Sequence, residues 1–229
     1  MENKYIKQTK ETWDKIARSF DITRRKPWDE CIDFINKIKK DSIILDIGCG
    51  NGRHLIPCSK KIKKVIGLDI SSELLKIVKE KIEKDKIYNV DLINSDAVNI
   101  PIKSDSIDSV LFIASLHNIK KRSNRINSLK ELNRILKKNG EALISIWSRG
   151  QDKFRKYFND ENYKKNEFGD IDIFWRQHNL NVPRFYHLYS KKEFIEDIKK
   201  SGLELKDIKG VKYLSNKYYD NYFAIVKKI

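Results

Sequence analysis

The sequence predicts an α/β fold: seven strands in a mostly parallel sheet, helices on both faces, and an antiparallel pair of strands at the C-terminal end. Three observations predict it. Short apolar runs alternate with amphipathic stretches over residues 42–147, the βαβα order that builds a parallel sheet. A glycine-rich turn, Asp46-Ile47-Gly48-Cys49-Gly50-Asn51-Gly52, follows the first of those runs. Two further apolar runs, 203–213 and 222–228, close the chain and read as an antiparallel pair.

Taken in order, residues 9–20 and 28–39 read as helices. The second carries Ile32, Phe34, Ile35 and Ile38 at roughly helical spacing, with Pro27 just ahead of its start. Residues 42–46 are the first strand, and 53–59 can begin a helix. Residues 64–69 are the second strand, and the amphipathic stretch 72–84 follows with Ser71 or Ser72 as its cap. Residues 90–95 and 107–113 are the third and fourth strands. A helix over 124–136 stops at Asn139-Gly140, and 141–147 is the fifth strand. Residues 149–182 are polar and aromatic with few periodic apolar positions, and read as an insertion over the C-terminal edge of the sheet. A helix over 190–201, capped by Ser190, leads into the closing strands. The whole is one Rossmann-like domain over 1–229: N-terminal helices (1–40), a cofactor-binding core (41–148), an insertion over the site (149–189), and a closing helix and strands (190–229).

With 229 residues the chain can bury one full core. Its 48 Lys and Arg against 32 Asp and Glu leave a formal charge of +16, which suits a polyanionic partner, nucleic acid first and an anionic membrane second. Cys31, Cys49 and Cys58 form no C-x-x-C pair, so no metal site and no disulfide framework is indicated. The N-terminus has no apolar signal core and no run reaches a membrane-spanning length, so a cytoplasmic protein is expected.

The glycine turn allows a ligand to approach the backbone closely. Asp69 ends the next strand, where an acid can accept ribose hydroxyls. The spacing is G-x-G-x-G, and the acid ending the first strand would repel a pyrophosphate but suits an ammonium. S-adenosylmethionine, with an amino-acid end, a sulfonium and an adenosine, fits that pattern. The stretch 42–147 resembles a class I S-adenosylmethionine-dependent methyltransferase core. The resemblance implies Asp46 and Gly48 near the methionine end, Asp69 on the ribose, Ser95, Asp96 and Ala97 near the adenine, and Ile113 to Leu116 lining the site, with Cys49, Gly50, Asn51, Gly52, Ile70 and Ala114 also expected at the cofactor.

Four further stretches narrow it: Trp13-Asp-Lys-Ile-Ala17 with Phe20, Thr23-Arg24 and Pro27-Trp28; Ile113-Ala-Ser-Leu-His117-Asn118; Arg184-Phe-Tyr-His-Leu-Tyr189; and Asp220-Asn221-Tyr222. These resemble the tRNA wobble-uridine carboxymethyl methyltransferases, although the family often has a second histidine at Asn118 and a tryptophan at Tyr222. The resemblance implies a 5-carboxymethyluridine acceptor, a methyl ester product, and a small zinc-binding activator protein as partner in a heterodimer. A carboxylate is already ionised at neutral pH and needs no general base. It must be desolvated and aimed, a task for the planar fork of arginine. Arg24 and Arg184 are therefore the candidates for the carboxylate or an adjacent phosphate, His117 for the uracil edge or carboxylate, Trp147 for stacking, and His187 and Asn221 for orienting the uridine. Tyr186, Tyr189 and Phe185 read as packing, and His54 and His178 as structural or loop residues. Lys120, Lys121, Arg122, Arg125, Arg149, Lys153, Arg155, Lys156, Lys164 and Lys165 are expected to form a basic rim for the anticodon loop. The competing expectations are a methyltransferase for a small carboxylic acid and a noncatalytic RNA-binding protein of the same fold.

Overall fold

The computed structural model describes residues 4–158, 163 and 165–229. Two helices open the chain, α1 (Lys4–Thr23) and α2 (Asp29–Lys37). The core then alternates β1 (Ile43–Ile47), α3 (Leu55–Ser59), β2 (Lys64–Asp69), α4 (Ser72–Lys84), β3 (Val90–Asn94), β4 (Ile107–Ile113), α5 (Arg122–Ile135) and β5 (Leu136–Trp147), with a 3-10 turn at Leu116–Asn118. After these come α6 (Asp152–Phe158), β6 (Asp170–Trp175), β7 (Val182–His187), α7 (Lys191–Lys200), β8 (Glu204–Val211) and β9 (Asn221–Lys227).

Seven strands form one sheet in the order β3-β2-β1-β4-β5-β9-β8, and only the β9 pairings are antiparallel. Both faces are covered, which is why β1 is apolar at every position but Asp46. Alternate residues serve opposite faces. Leu45 packs with Phe112, Ile144, Leu129 and Phe194 on one side, while Ile44 packs with Leu111, Phe34, Val78 and Phe223 on the other. The chain reverses direction of winding between β1 and β4, and the crevice at their carboxyl ends is where such sheets bind ligands.

Ser71 is the cap of α4, its Oγ accepting the Leu74 amide at 3.1 Å, and Ser190 caps α7 by accepting from Glu193. Asn139-Gly140 is not the end of α5. That helix ends at Ile135 and passes directly into β5, where Asn139 takes a φ of +67° and donates its amide to the Lys228 carbonyl. The strand absorbs the kink by a register shift against β4, between Ile107 and Ser109.

The insertion is more ordered than its composition suggests. β6 and β7 form an antiparallel ribbon, and Phe158, Ile171, Tyr186 and Leu188 give it a small core of its own. Pro183 is tolerated because a two-stranded ribbon offers edge positions. Trp175 and Val182 pack on Ile16 of α1, while Ala17 on the same helix packs on Leu74 and Ile77 of α4. Asp14 of α1 accepts from Ser71 Oγ and the Glu73 amide, which fixes α1 to the start of α4. Helix α1 thereby bridges the core and the insertion across the carboxyl end of the sheet. Among the described residues no helix is long and apolar enough to cross a membrane.

Candidate active site

A cavity of about 210 Å³ opens at the carboxyl ends of β1, β2 and β4. Its floor is the glycine turn, with Gly48 at φ +68° and Gly50 at φ +56°. A Cβ on Gly48 would lie 2.2 Å from Ser115 Oγ, so only glycine fits there. The Gly48 and Cys49 amides donate to the Leu68 carbonyl, and the Gly50 amide donates to Asp69 Oδ2 at 2.8 Å. Asp69 Oδ1 accepts from the Ser71 amide. Burial raises the Asp69 pKa to about 6 against the opposing pull of those amides. Asp46 lies beneath the turn, fully enclosed. Burial and then the neighbouring Asp69 raise its pKa to about 8, with Arg53 opposing, and its Oδ2 meets no partner among the described residues. Asn51 ties the turn to α1, its Nδ2 donating to Asp21 Oδ1 and to the Arg24 carbonyl.

Of the thirteen residues expected at the cofactor, eleven line the cavity: Gly48, Cys49, Gly50, Asn51, Asp69, Ile70, Ser95, Asp96, Ala97, Ile113 and Ala114. Asp46 stands behind the wall. Gly52 is turned away, facing Val78 and Ile56 instead.

The opposite wall is aromatic and cationic. His117 is fully buried and stacks on Tyr186, with ring centroids 5.2 Å apart, beside Trp147. Its Nδ1 accepts the Trp147 amide at 3.1 Å, so the ring proton resides on Nε2, which meets no partner among the described residues. Burial, followed by the charges of His187, Arg184 and Arg125, lowers the His117 pKa to about 3. The ring is therefore a neutral donor at the cavity wall. Arg184 is 7% exposed, donates Nη1 to Tyr186 Oη at 2.7 Å, and lies against Trp13, Trp175 and Tyr186. Its Nε meets no partner among the described residues. Arg24 stands over the same Trp175 ring at 5.3 Å, and burial followed by Arg184 depresses its pKa, with Tyr186 opposing. Arg53 lies over Trp28 at 4.7 Å. All three arginines line the cavity, and among the described residues none has a carboxylate within ion-pair distance.

Two expected acceptor residues are elsewhere. His187 is locked in a buried network, Nδ1 with Asp170 at 2.7 Å and Nε2 with Glu193 at 2.8 Å. Burial lowers its pKa, but those two hydrogen bonds outweigh it. Arg125 already engages the adjacent Glu167 at 2.7 Å, so this acidic group has its cation in place and its histidine spent. Asn221 is buried at the start of β9, in register with Trp147 and Val211, and does not reach the cavity. The basic rim is thinner than expected. Arg125 is wholly buried, Arg122 is neutralised by Asp197 and Glu196, Lys165 by Asp172, and Arg149 faces Glu193. Lys164 lies outside the described residues. Lys120 remains at the cavity mouth.

Sequence reasoning missed Arg53, hidden at a helix start, and read Tyr186 as packing although it lines the cavity and anchors Arg184. A cavity with buried acids on one wall and unpaired guanidinium groups on the other can hold a cation against an anion, with a neutral donor between them.

A methyltransferase-domain family profile matches residues 45–144. The chain is 33% identical over 152 residues to the mouse tRNA (carboxymethyluridine(34)-5-O)-methyltransferase ALKBH8, matching 66% of this chain and 21% of that protein. It therefore spans about a fifth of that relative's length. A protein of Encephalitozoon cuniculi that carries a methyltransferase name is 30% identical over 85% of this chain and 86% of its own length. The Schizosaccharomyces pombe tRNA (carboxymethyluridine(34)-5-O)-methyltransferase is 28% identical, over 88% of this chain and 89% of its own. Among solved structures, a methyltransferase from Methanosarcina mazei superposes with a TM-score of 0.75 at 19% identity, covering 89% of this chain and 99% of its own. A chain from the complex of the Haloferax volcanii Trm112 methyltransferase activator with a methyltransferase superposes at 0.71 and 14% identity, covering 96% of each chain. The last two share the fold.

Proposed function

We propose, from the premise that this chain belongs to the methyltransferase family, that it moves a methyl group from S-adenosylmethionine onto the carboxylate of 5-carboxymethyluridine at the wobble position of tRNA, forming a methyl ester. The single observation that carries this is the acceptor wall: three arginines without carboxylate partners among the described residues, set around aromatic rings beside a histidine too acidic to act as a base. Such a wall suits an acceptor that arrives already anionic. An amine or hydroxyl acceptor would need a proton removed, and a group with a pKa of about 3 takes protons poorly at neutral pH.

The residues present fit the cofactor. The partnerless Asp46 oxygen gives an ammonium a nearby counter-charge, Asp69 keeps lone pairs free for ribose hydroxyls, and the cradle at Gly48 admits no side chain. When bound, the cofactor supplies an electrophilic methyl on a sulfonium. Asp69 and the glycine turn would hold its nucleoside and amino-acid ends. Arg184 would fix one carboxylate oxygen of the acceptor, His117 Nε2–H would donate to the uracil edge or the same carboxylate, and Trp147 would stack on the base. The carboxylate oxygen gains the methyl carbon while the carbon–sulfur bond breaks, so both charges vanish and no proton moves.

The activity named for the mouse and fission-yeast relatives supports the tRNA assignment, and the Haloferax complex supports a small activator as partner. We place residues 1–229 as one catalytic domain acting in the cytoplasm beside that activator, which would carry any zinc. The test is incubation of the purified chain, with and without activator, with labelled S-adenosylmethionine and tRNA bearing 5-carboxymethyluridine. Label should appear in a nucleoside ester that mild alkali cleaves. Alkali-stable label on a base or ribose, or label on free small acids indifferent to tRNA, would refute the assignment.

A further inference from the structure

The segment between β8 and β9, residues 212–220, has no regular structure, yet its backbone is pinned amide by amide. Asp220 Oδ2 accepts the amides of Tyr213, Leu214 and Ser215 at 2.7, 2.7 and 2.9 Å, and its Oδ1 accepts from Ser215 Oγ. Asp152, at the start of α6, takes the next three: Asn216 and Lys217 on Oδ2 at 3.0 and 3.1 Å, and Tyr218 on Oδ1 at 3.2 Å. Two carboxylates thus hold six consecutive amides. Tyr219 is fixed as well, its ring lying where a Cβ on Gly210 would be.

This rigid loop displays Leu214, 90% exposed, between the half-exposed rings of Tyr213 and Tyr219. Lys212 and Lys217 flank it, and Arg155 lies 4.4 Å over Tyr218. A lone exposed leucine is unremarkable in a folded surface. Six ordered residues that bury none of it are different, because fixing each costs roughly 1–2 kcal/mol of backbone entropy. Ordering the loop in the free protein removes that cost from a later binding event. Its location points to the ligand. The Tyr213 ring packs 5.4 Å from Trp28, and Trp28 carries Arg53; both line the cavity. The loop is therefore the next surface outward from the acceptor wall.

Resting on the tRNA reading above, we infer that loop 212–219 is a preformed platform for single-stranded RNA, gripping the nucleotides beside the one in the cavity. Aromatic and apolar side chains on a rigid backbone accept the faces of any base, and the flanking cations meet the phosphates. Lys212, Lys217 and Arg155 stand on this face of a chain of net charge +16, while Asp152 and Asp220 are spent on the loop's own amides, so the groups left to meet a polyanion are cationic.

The test is fluorescence anisotropy with a labelled RNA hairpin whose unpaired loop carries 5-carboxymethyluridine, using the full chain with its activator. Lys212→Glu with Lys217→Glu should weaken binding at least about tenfold at low salt and flatten the dependence of log K on log salt by about two. Leu214→Asp should also weaken binding. Asp152→Ala, which frees three amides without altering the exposed face, should weaken it several-fold. In the lysine and leucine variants, cofactor affinity by calorimetry and methylation of the free nucleoside should match the parent chain. RNA affinity within twofold of the parent in both the lysine and leucine variants overturns the inference. So does loss of activator binding with RNA affinity unchanged, which would assign the loop to a protein. If the parent chain itself binds no RNA and methylates none, the tRNA reading fails, an outcome distinguishable from failure of the platform alone.

Discussion

Replacing Arg184 by methionine separates two reasons for burying a guanidinium. If the arginine serves the fold, its loss should destabilise the protein. Its contacts are one hydrogen bond to Tyr186 and three aromatic rings with centroids 4.9, 5.0 and 5.7 Å away. Those contribute roughly 1.5–3 kcal/mol for the charged hydrogen bond and about 0.5–2 kcal/mol per ring. Against them stands the desolvation of a charge that is 7% exposed and has no carboxylate, which costs about several kcal/mol. The two sides nearly cancel, and methionine fills similar space without the charge. We expect unfolding free energy to change by no more than about 2 kcal/mol, a shift in Tm of less than about 8 °C. Activity should behave otherwise. An acceptor carboxylate facing an absent guanidinium loses about 3–5 kcal/mol, so kcat/KM should fall roughly 10²–10⁴-fold. Calorimetric affinity for S-adenosylmethionine should stay within threefold. Stopped-time assays on 5-carboxymethyluridine tRNA, with thermal melts of the same samples, measure both. Full activity in the variant, or a collapse in Tm well beyond 8 °C, would refute the reasoning.

Gly48→Ala should abolish cofactor binding: the positive φ costs about 1–2 kcal/mol and the clash with Ser115 about 1–3 kcal/mol more, giving at least a tenfold loss by calorimetry with the far-UV spectrum retained. Two raised carboxyls set a pH dependence. Asp69 and Asp46 add stability to the unliganded chain below their unfolded pKa near 4, and that stability is lost as pH rises through about 6 and about 8 respectively. A cationic ligand favours the ionised acids, so affinity for S-adenosylmethionine should rise from pH 6 to 8 and binding should release protons. Calorimetry in buffers of differing ionisation enthalpy checks this, and proton uptake at pH 7 would contradict it. His117→Asn keeps a donor at the wall whereas His117→Leu does not, so kcat should differ at least tenfold between them with cofactor affinity alike. Because His117 titrates near 3, the asparagine variant should leave the pH–rate profile between pH 5 and 8 unchanged in shape.

The donor half of the site was legible because its chemistry is local in sequence. Glycines at one strand end and an acid at the next specify a turn and a hydroxyl acceptor without knowledge of distant contacts. The acceptor half depends on tertiary contacts. Arg53 gains its place only once Trp28 folds back over it, and Arg122 and Arg125 lose theirs only once Asp197 and Glu167 arrive from far along the chain. One error was avoidable. In a strand successive side chains point to opposite faces. Arg184 and Tyr186 share one face of β7, so His187, three residues after Arg184, must face away, towards Glu193. The ribbon itself was obscured by the charges and the proline in its strands, residues that a two-sided central strand would not carry.

Opposed charge across the cavity has a consequence for the rate of the proposed reaction. A sulfonium and a carboxylate become a neutral thioether and a neutral ester, so charge disperses as the transition state forms. A wall that held the carboxylate by several tight pairs would stabilise the reactants more than the transition state and slow the transfer. The arginines here are arranged against that. Arg184 commits Nη1 to Tyr186, and Arg24 spends an N–H on the Thr23 carbonyl while its charge is shared with the Trp175 face. Arg53 stands on Trp28, with Asp46 as a weak and distant counter-charge. What faces the acceptor is therefore a guanidinium with one nitrogen already committed to Tyr186, and a diffuse positive potential. Trp147 and Tyr186 at the same time exclude water that would otherwise solvate the nucleophile. By the same logic a carboxylate supplied to Arg184, for example Tyr186→Glu, should lower kcat more than it weakens RNA binding, because it fills the position the substrate's oxygen has to occupy.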